Sequence, residues 1–212
     1  MSLRLNVQRG IRTMISEIKK RYFTEFNIDL EKARKRALVN SENGMITAAT
    51  EMLGEAIIRK FRLWNRLFPN YQSVKKATSK RNQKDGIDYF VTLEDDTVIN
   101  IDIKVCCGPD FSLDKNQCYK EPEKQRTLSS MNQAPIELKQ NGFRTFTNRK
   151  KTDYLLFIFA DCNGISYANL AYDDVLKIVD ENIKDKGIYL HHISNNKSGE
   201  YICCPVAISK LF

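Results

Sequence analysis

The fold is decided by residues 86–105, which read GIDYFVTLEDDTVINIDIKV. Two runs rich in β-branched and aromatic residues, 87–93 and 97–105, flank the polar segment Glu94-Asp95-Asp96. This pattern predicts a β-hairpin. In the second run aliphatic side chains alternate with the others, so one face is aliphatic and the other becomes polar towards its end, at Asp102 and Lys104.

Helical patterns precede the hairpin. Apolar residues at helical spacing over 3–26 and a charged stretch over 29–39 predict two helices, and residues 40–44 predict a break. A long helix is predicted over 47–67, where Pro69 follows its end.

Further strands follow the hairpin. The continuous apolar run 154–160 is typical of a central strand covered on both faces. We predict a helix over 173–183, a closing pair of strands over 189–193 and 201–209, and mostly irregular chain over 106–152 with a short helix at 135–141. The prediction is an α/β fold with a mixed central sheet flanked by helices. An N-terminal helical segment, 1–44, precedes the main domain, 45–212.

Charge and composition limit the partners. Lys and Arg exceed Asp and Glu by 34 to 26, a net charge of +8 that suits a polyanion. No stretch reaches the roughly 20 apolar residues of a membrane span, and no secretory signal is visible. We therefore expect a cytoplasmic protein with reduced cysteines and no membrane partner.

Acidic and basic groups converge at one end of the hairpin. Asp102 and Lys104 stand two residues apart on a strand and project together, and Asp88 begins the neighbouring strand at the same end. Two such carboxylates suit Mg²⁺, which can activate water and compensate charge in phosphodiester hydrolysis. Glu55 flanks the apolar stripe of the long preceding helix and could reach this cluster.

Glu on a helix, Asp on a strand and then Asp-x-Lys resembles the PD-(D/E)XK nuclease superfamily over about residues 47–105, and more loosely to 160. The resemblance implies a restriction-endonuclease-like core in which Asp88, Asp102 and Glu55 bind catalytic Mg²⁺, with Mn²⁺ able to substitute. Lys104 would position or polarise the attacking water. Ile87 stands where the family has its proline.

Other interpretations of these residues stay open. Glu17-x-Lys19 and Glu137-x-Lys139 share the acidic-x-Lys spacing, but the first lies in a predicted helix and the second in the predicted turn of helix at 135–141. Asp85 is an alternative to Asp88. Glu55 could instead pair with Arg59 or Arg62, and Asp102 and Lys104 could form a structural pair on an edge strand.

Two cationic stretches flank the candidate site in sequence. We predict phosphate and base contacts from the following residues: Lys75, Lys76, Lys80, Arg81, Lys84, Arg144, Asn148, Arg149 and Lys150. A solvated loop is the plain alternative for either stretch alone. A zinc site of His191, His192 and the cysteines is not favoured, because adjacent cysteines on a strand point to opposite faces.

The resemblance favours a type II restriction endonuclease that acts on double-stranded DNA as a homodimer, since cutting both strands of a palindrome needs two related centres. A structure-specific phage or repair nuclease would keep the same centre. A DNA-binding module without chemistry would keep only the fold.

Overall fold

The computed structural model describes residues 16–37, 40–79, 81–82, 85–108, 133–140, 143–144, 151–186, 191–195 and 199–207. The helices are α1 (Glu17–Glu25), α2 (Leu30–Arg36), α3 (Glu42–Lys60), α4 (Leu63–Leu67) and α5 (Tyr172–Lys186). The strands are β1 (Tyr71–Lys76), β2 (Tyr89–Leu93), β3 (Val98–Cys107), β4 (Gln133–Gln140), β5 (Phe143–Arg144), β6 (Tyr154–Ala160), β7 (Ile165–Ala171), β8 (His191–Asn195) and β9 (Gly199–Ala207). None of the helices in these ranges is long and apolar enough to cross a membrane.

A five-stranded mixed sheet in the order β1-β2-β3-β6-β7, flanked by helices, confirms the α/β prediction. β1 pairs antiparallel with β2, and β2 pairs antiparallel with β3. Asp153 N–H donates to Asn100 O at the start of β3, and Gly108 N–H donates to Ala160 O at its end. Because β6 meets β3 start to start and end to end, these two strands are parallel.

The predicted hairpin is present as β2 and β3. Leu93 N–H donates to Thr97 O at 2.8 Å and closes the turn. Thr97 N–H in turn donates to Asp95 Oδ1 at 3.0 Å, while Asp96 takes a left-handed φ of 64°. Short polar residues tolerate this conformation, so the Glu94-Asp95-Asp96 segment turns the chain as expected.

A second sheet, in the order β5-β4-β9-β8, contains the main correction to the sequence analysis. The helix predicted at 135–141 is wrong, because these residues belong to β4, which pairs antiparallel with β9. A strand partner about 70 residues away leaves no mark in the local pattern of a short polar segment. The predicted closing pair is confirmed as β8 and β9.

The helix boundaries also differ from the prediction. The break predicted at 40–44 is present between α2 and α3, but its residues 42–44 already belong to α3. Ser41 Oγ accepts from Gly44 N–H at 3.0 Å and caps this helix. The single helix predicted over 47–67 is two helices, since Arg62 has a left-handed φ of 50° between α3 and α4. The strand β7 was not predicted.

The chain forms two compact units. The first unit comprises Met1–Arg62, Val105–Met131 and Phe159–Ser166. Within it Tyr22 of α1 donates its hydroxyl to Asp161 O at 2.7 Å. A Cβ on Gly54 of α3 would lie 2.4 Å from Val105 Cγ2, so only glycine permits this approach of the helix to the end of β3.

The second unit comprises Leu63–Lys104, Asn132–Ile158 and Tyr167–Phe212. Its core includes Val91, Ile101 and Leu156, all fully buried. The Trp64 and Tyr89 rings lie 5.3 Å apart, which packs α4 against β2. The β6 side chains 155–160 are buried almost completely, which confirms a central strand covered on both faces.

Candidate active site

Asp88 and Asp102 lie beside each other on neighbouring segments. Tyr89 pairs with Ile101 at the end of the β2–β3 register, and Asp88 and Asp102 are the residues next to this pair on their two segments. Asp88 N–H donates to Ile101 O at 2.8 Å, and Ala77 N–H donates to Asp88 O at 2.8 Å. The bond from Asp88 N–H to Ile101 O lies one residue out of the β2–β3 register, so the regular ladder ends at Tyr89. The hydrogen bond between the Asp88 and Asp102 side chains shows that the two carboxyl groups meet.

The two carboxyl groups perturb each other. Asp102 is almost fully buried, at 3% exposure. Burial, and then the negative charge of Asp102, raise the pKa of Asp88 from its ordinary value of 3.8 to about 6. A hydrogen bond between the two side chains also raises this pKa, whereas the Ile103 N–H, which donates to Asp88 Oδ2 at 2.8 Å, and Lys104 lower it. The pair is a concentrated site of negative charge in a poorly hydrated place.

Lys104 lies beside this pair. Its Nζ is 3.1 Å from Asp102 Oδ1, because the two residues share a face of β3. The Lys104 side chain keeps 28% of its surface exposed, whereas that of Asp102 keeps 4%. The Lys104 side chain therefore lies between the buried carboxyl group and the solvent.

The loop before Asp88 is held by the residues that precede β6. Thr152 is buried, and its hydroxyl donates to Gly86 O at 2.6 Å. Lys151 N–H donates to Asp85 O at 3.2 Å, and Lys151 Nζ lies 3.6 Å from Asp85 Oδ2. Asp85, the sequence alternative to Asp88, thus has an ion-pair partner of its own. Local sequence held no signal for the part played by Thr152.

Glu55 lies on α3 in the first unit. Its Oε1 is 3.4 Å from Arg36 Nη1 of α2, where the sequence analysis had considered Arg59 or Arg62. In the described ranges no group of three or more His, Cys, Asp or Glu side chains could hold a metal ion. A metal-binding role for Glu55 stays a prediction.

The predicted DNA-contacting residues fall into three groups. Lys75 and Lys76 lie in β1, not in the loop expected there, and like Arg81 they are exposed. Arg144 lies in β5. The following lie outside the described residues: Lys80, Lys84, Asn148, Arg149 and Lys150.

The competing acidic-x-Lys motifs have different outcomes. Glu17 begins α1 and pairs with Lys20 along the helix, as a solvated carboxylate does. Glu137 and Lys139 lie in a strand, so the helix argument against this motif is wrong. The register of β4 against β9 shifts between them.

The cysteines differ among themselves. Cys106 and Cys107 are buried thiols at the end of β3 that form no disulfide, and burial raises the pKa of the Cys107 thiol to about 12. Cys162 is disulfide-bonded, against the expectation of reduced thiols. His191 and His192 are adjacent on β8.

Comparison of the chain with protein-family models, with characterised proteins and with solved structures gives no match. A functional interpretation must therefore start from the chemistry of Asp88, Asp102 and Lys104.

Proposed function

We propose that this chain is a metal-dependent DNA nuclease of the PD-(D/E)XK type, with Asp88 and Asp102 as ligands of a divalent ion and Lys104 as the catalytic amine. The observation that carries the proposal is the meeting of these three side chains where β2 begins beside β3. Asp102 and Lys104 follow Asp88 by 14 and 16 positions in the sequence, and the fold brings the three together. Two carboxylates that can hold a metal ion, with an amine beside them, are groups that phosphodiester hydrolysis uses.

The two carboxyl groups fit a hard divalent cation. Burial, and then the negative charge of Asp102, raise the pKa of Asp88, and a cation between the two carboxylates would offset their repulsion. Mg²⁺ is commonly held by one or two carboxylates together with substrate phosphate and water, so a pair of aspartates is a sufficient donor set, and Mn²⁺ accepts the same ligands. When bound, the ion compensates phosphate charge and lowers the pKa of water.

The amine of Lys104 has a separate task. Its contact with Asp102 Oδ1 holds the ammonium beside the carboxyl pair, and its partial exposure leaves donors that can reach an incoming group. A phosphate oxygen or the attacking water could accept one of these hydrogen bonds. Positive charge at this point favours the developing negative charge of a phosphodiester in hydrolysis.

The finer assignment rests on the resemblance in sequence. It includes Glu55 as a further ligand, sequence-specific cleavage of double-stranded DNA as in type II restriction endonucleases, and a homodimer with one centre for each strand. The net charge of +8 supports a polyanionic substrate.

Cleavage assays with a matched pair of variants test the proposal. The purified chain is incubated with plasmid DNA and Mg²⁺, with EDTA as the blank, beside the Asp102→Ala and Lys104→Ala variants. Asp85→Ala and Lys151→Ala are the controls, because they break a second aspartate–lysine pair of the same unit and also test Asp85 as the alternative to Asp88. We expect cleavage by the parent and both controls, with at least a hundredfold loss in the two site variants.

The remaining outcomes separate the alternatives. Discrete fragments indicate sequence-specific cutting, whereas selective cutting of junctions or flaps indicates a structure-specific nuclease. DNA binding without cleavage by the parent would leave a binding module. Site variants that cut as fast as the parent would overturn the assignment of Asp102 and Lys104, and Lys104→Ala is decisive if the buried Asp102 variant fails to fold.

A further inference from the structure

We infer that the nucleic-acid strand crosses the face of the β1–β2–β3 meander that carries Asp102, where Lys75 contacts a phosphate and Lys76 does not. This inference rests on the proposed function, because it describes how the substrate of that site would lie. The sequence analysis treats the two lysines alike, and the sheet register separates them.

Register assigns each lysine to a face. Lys75 pairs with Phe90 and Lys76 with Tyr89 across β1 and β2, and Phe90 pairs with Asn100 of β3. Directly opposed residues of antiparallel strands project to the same side. Lys75, Phe90 and Asn100 therefore form one row across the three strands.

The carboxylates belong to the same face. Asp102 stands two residues after Asn100 and lies on the same face of β3. The Asp88 side chain forms a hydrogen bond with that of Asp102 and therefore lies beside it. Lys76 stands in a row with Tyr89, whose ring packs on Trp64 of α4. That row belongs to the opposite face, which carries the fully buried Val91 and Ile101.

Exposure increases along the face with distance from the carboxylates. The row that contains the carboxylates is the least exposed, with Ala77 and Asp102 both buried. The next contains the exposed Lys75, and beyond it Val98 is 52% exposed, the large apolar residue most open to solvent in the described ranges. A path from the acidic pair over Phe90 and Lys75 thus stays accessible.

The separation suits a polynucleotide. About 8 Å lie between the Cα positions of Lys75 and Asp88, from a rise of about 3.4 Å per residue and a strand spacing of about 4.8 Å. The lysine side chain can extend or fold back by several ångströms, so this separation is compatible with neighbouring phosphates of one strand. A phosphate on the Lys75 ammonium and another at the carboxyl pair can therefore belong to one strand, while Phe90 between them offers an apolar contact to sugar or base.

The experiment compares two adjacent residues of equal charge. Binding of a labelled DNA duplex that is several turns long is measured for the parent, Lys75→Ala and Lys76→Ala at a series of salt concentrations, with Ca²⁺ in place of Mg²⁺. A lost phosphate contact lowers the salt slope by about 0.9, which weakens binding by about eightfold at about 0.1 M salt. We expect this change for Lys75→Ala, little change for Lys76→Ala, and the parent slope for Lys75→Arg.

Equal effects of the two alanine variants, or a larger effect of Lys76→Ala, would overturn the inference. The cleavage assay with Mg²⁺ keeps this result distinct from the proposed function. A parent that cuts DNA while the two variants behave alike refutes only the path across this face. A parent that neither binds nor cuts DNA refutes both.

Discussion

Replacing Asp88 by asparagine is expected to make the metal-free protein more stable while it abolishes cleavage. The carboxylate is held in a buried place beside Asp102, which raises its pKa to about 6. The amide has nearly the same shape and no charge. Its oxygen can still accept from Ile103 N–H, as Asp88 Oδ2 does at 2.8 Å, and its NH₂ can donate to Asp102.

The size of the gain follows from the pKa. Ionising Asp88 in the folded chain, with a pKa of about 6 against 3.8 in the unfolded chain, costs about 3 kcal/mol at about 1.4 kcal/mol for each tenfold change in the proton equilibrium. For a chain of this size that corresponds to roughly 6 to 12 °C in melting temperature. Asp88→Asn should recover the larger part of this free energy.

The gain has a defined pH dependence. The folded state of the parent holds a proton on Asp88 up to a higher pH than the unfolded state, so its stability falls as pH rises between about 4 and 6. Above that window the full penalty is present, and below it the penalty is absent. Unfolding in urea with EDTA should show the stability difference between variant and parent at neutral pH, and a difference close to zero near pH 4.

Asp85→Asn is the matched control, because Asp85 lies in the same loop and pairs with Lys151 at 3.6 Å. We expect no stabilisation and no loss of cleavage from it. The reasoning is refuted if Asp88→Asn lowers the free energy of unfolding at neutral pH, or if the two variants behave alike. It is also refuted if Asp88→Asn cuts DNA as the parent does.

Two further substitutions test how the site is supported. Thr152→Val removes the hydroxyl bond to Gly86 O, so it should lower the free energy of unfolding by about 1 to 3 kcal/mol and raise the Mg²⁺ concentration for half-maximal cleavage, with Thr152→Ser restoring both. Gly54→Ala should destabilise by about 1 to 3 kcal/mol in thermal unfolding, although alanine ordinarily favours a helix, because its Cβ would meet Val105 Cγ2 at 2.4 Å. Val105→Ala in the same chain should relieve that clash, and failure of this rescue would contradict the packing argument.

The candidate site was predictable to the extent that it is local. Asp102 and Lys104 share a face because the side-chain direction of a strand repeats every two residues. Asp88 comes close to them through a short turn that the sequence predicts. The central strand β6 could also be predicted, because seven consecutive apolar residues are typical of a strand that is covered on both faces.

Elements that depend on distant partners were not predicted. The local sequence of β4 is polar and predicted a short helix, whereas its strand conformation comes from pairing with β9. Lys75 and Lys76 were interpreted as part of a basic stretch that could be a loop, but pairing with β2 places them in β1 at the edge of the sheet. Backbone hydrogen bonds to a remote strand can override weak local preferences, because propensities differ by only about 1 kcal/mol.

The sequence by itself determined which chemical groups this protein brings to the hairpin, because strand periodicity and turn composition act over a few residues. Tertiary structure alone decided how those groups behave. It set Asp88 beside Asp102 in a buried place that raises the pKa of Asp88, it paired Glu55 with Arg36, and it separated Lys75 from Lys76 by the face each presents. Burial and register are properties of contacts between distant parts of the chain, and neighbouring residues in sequence do not contain them.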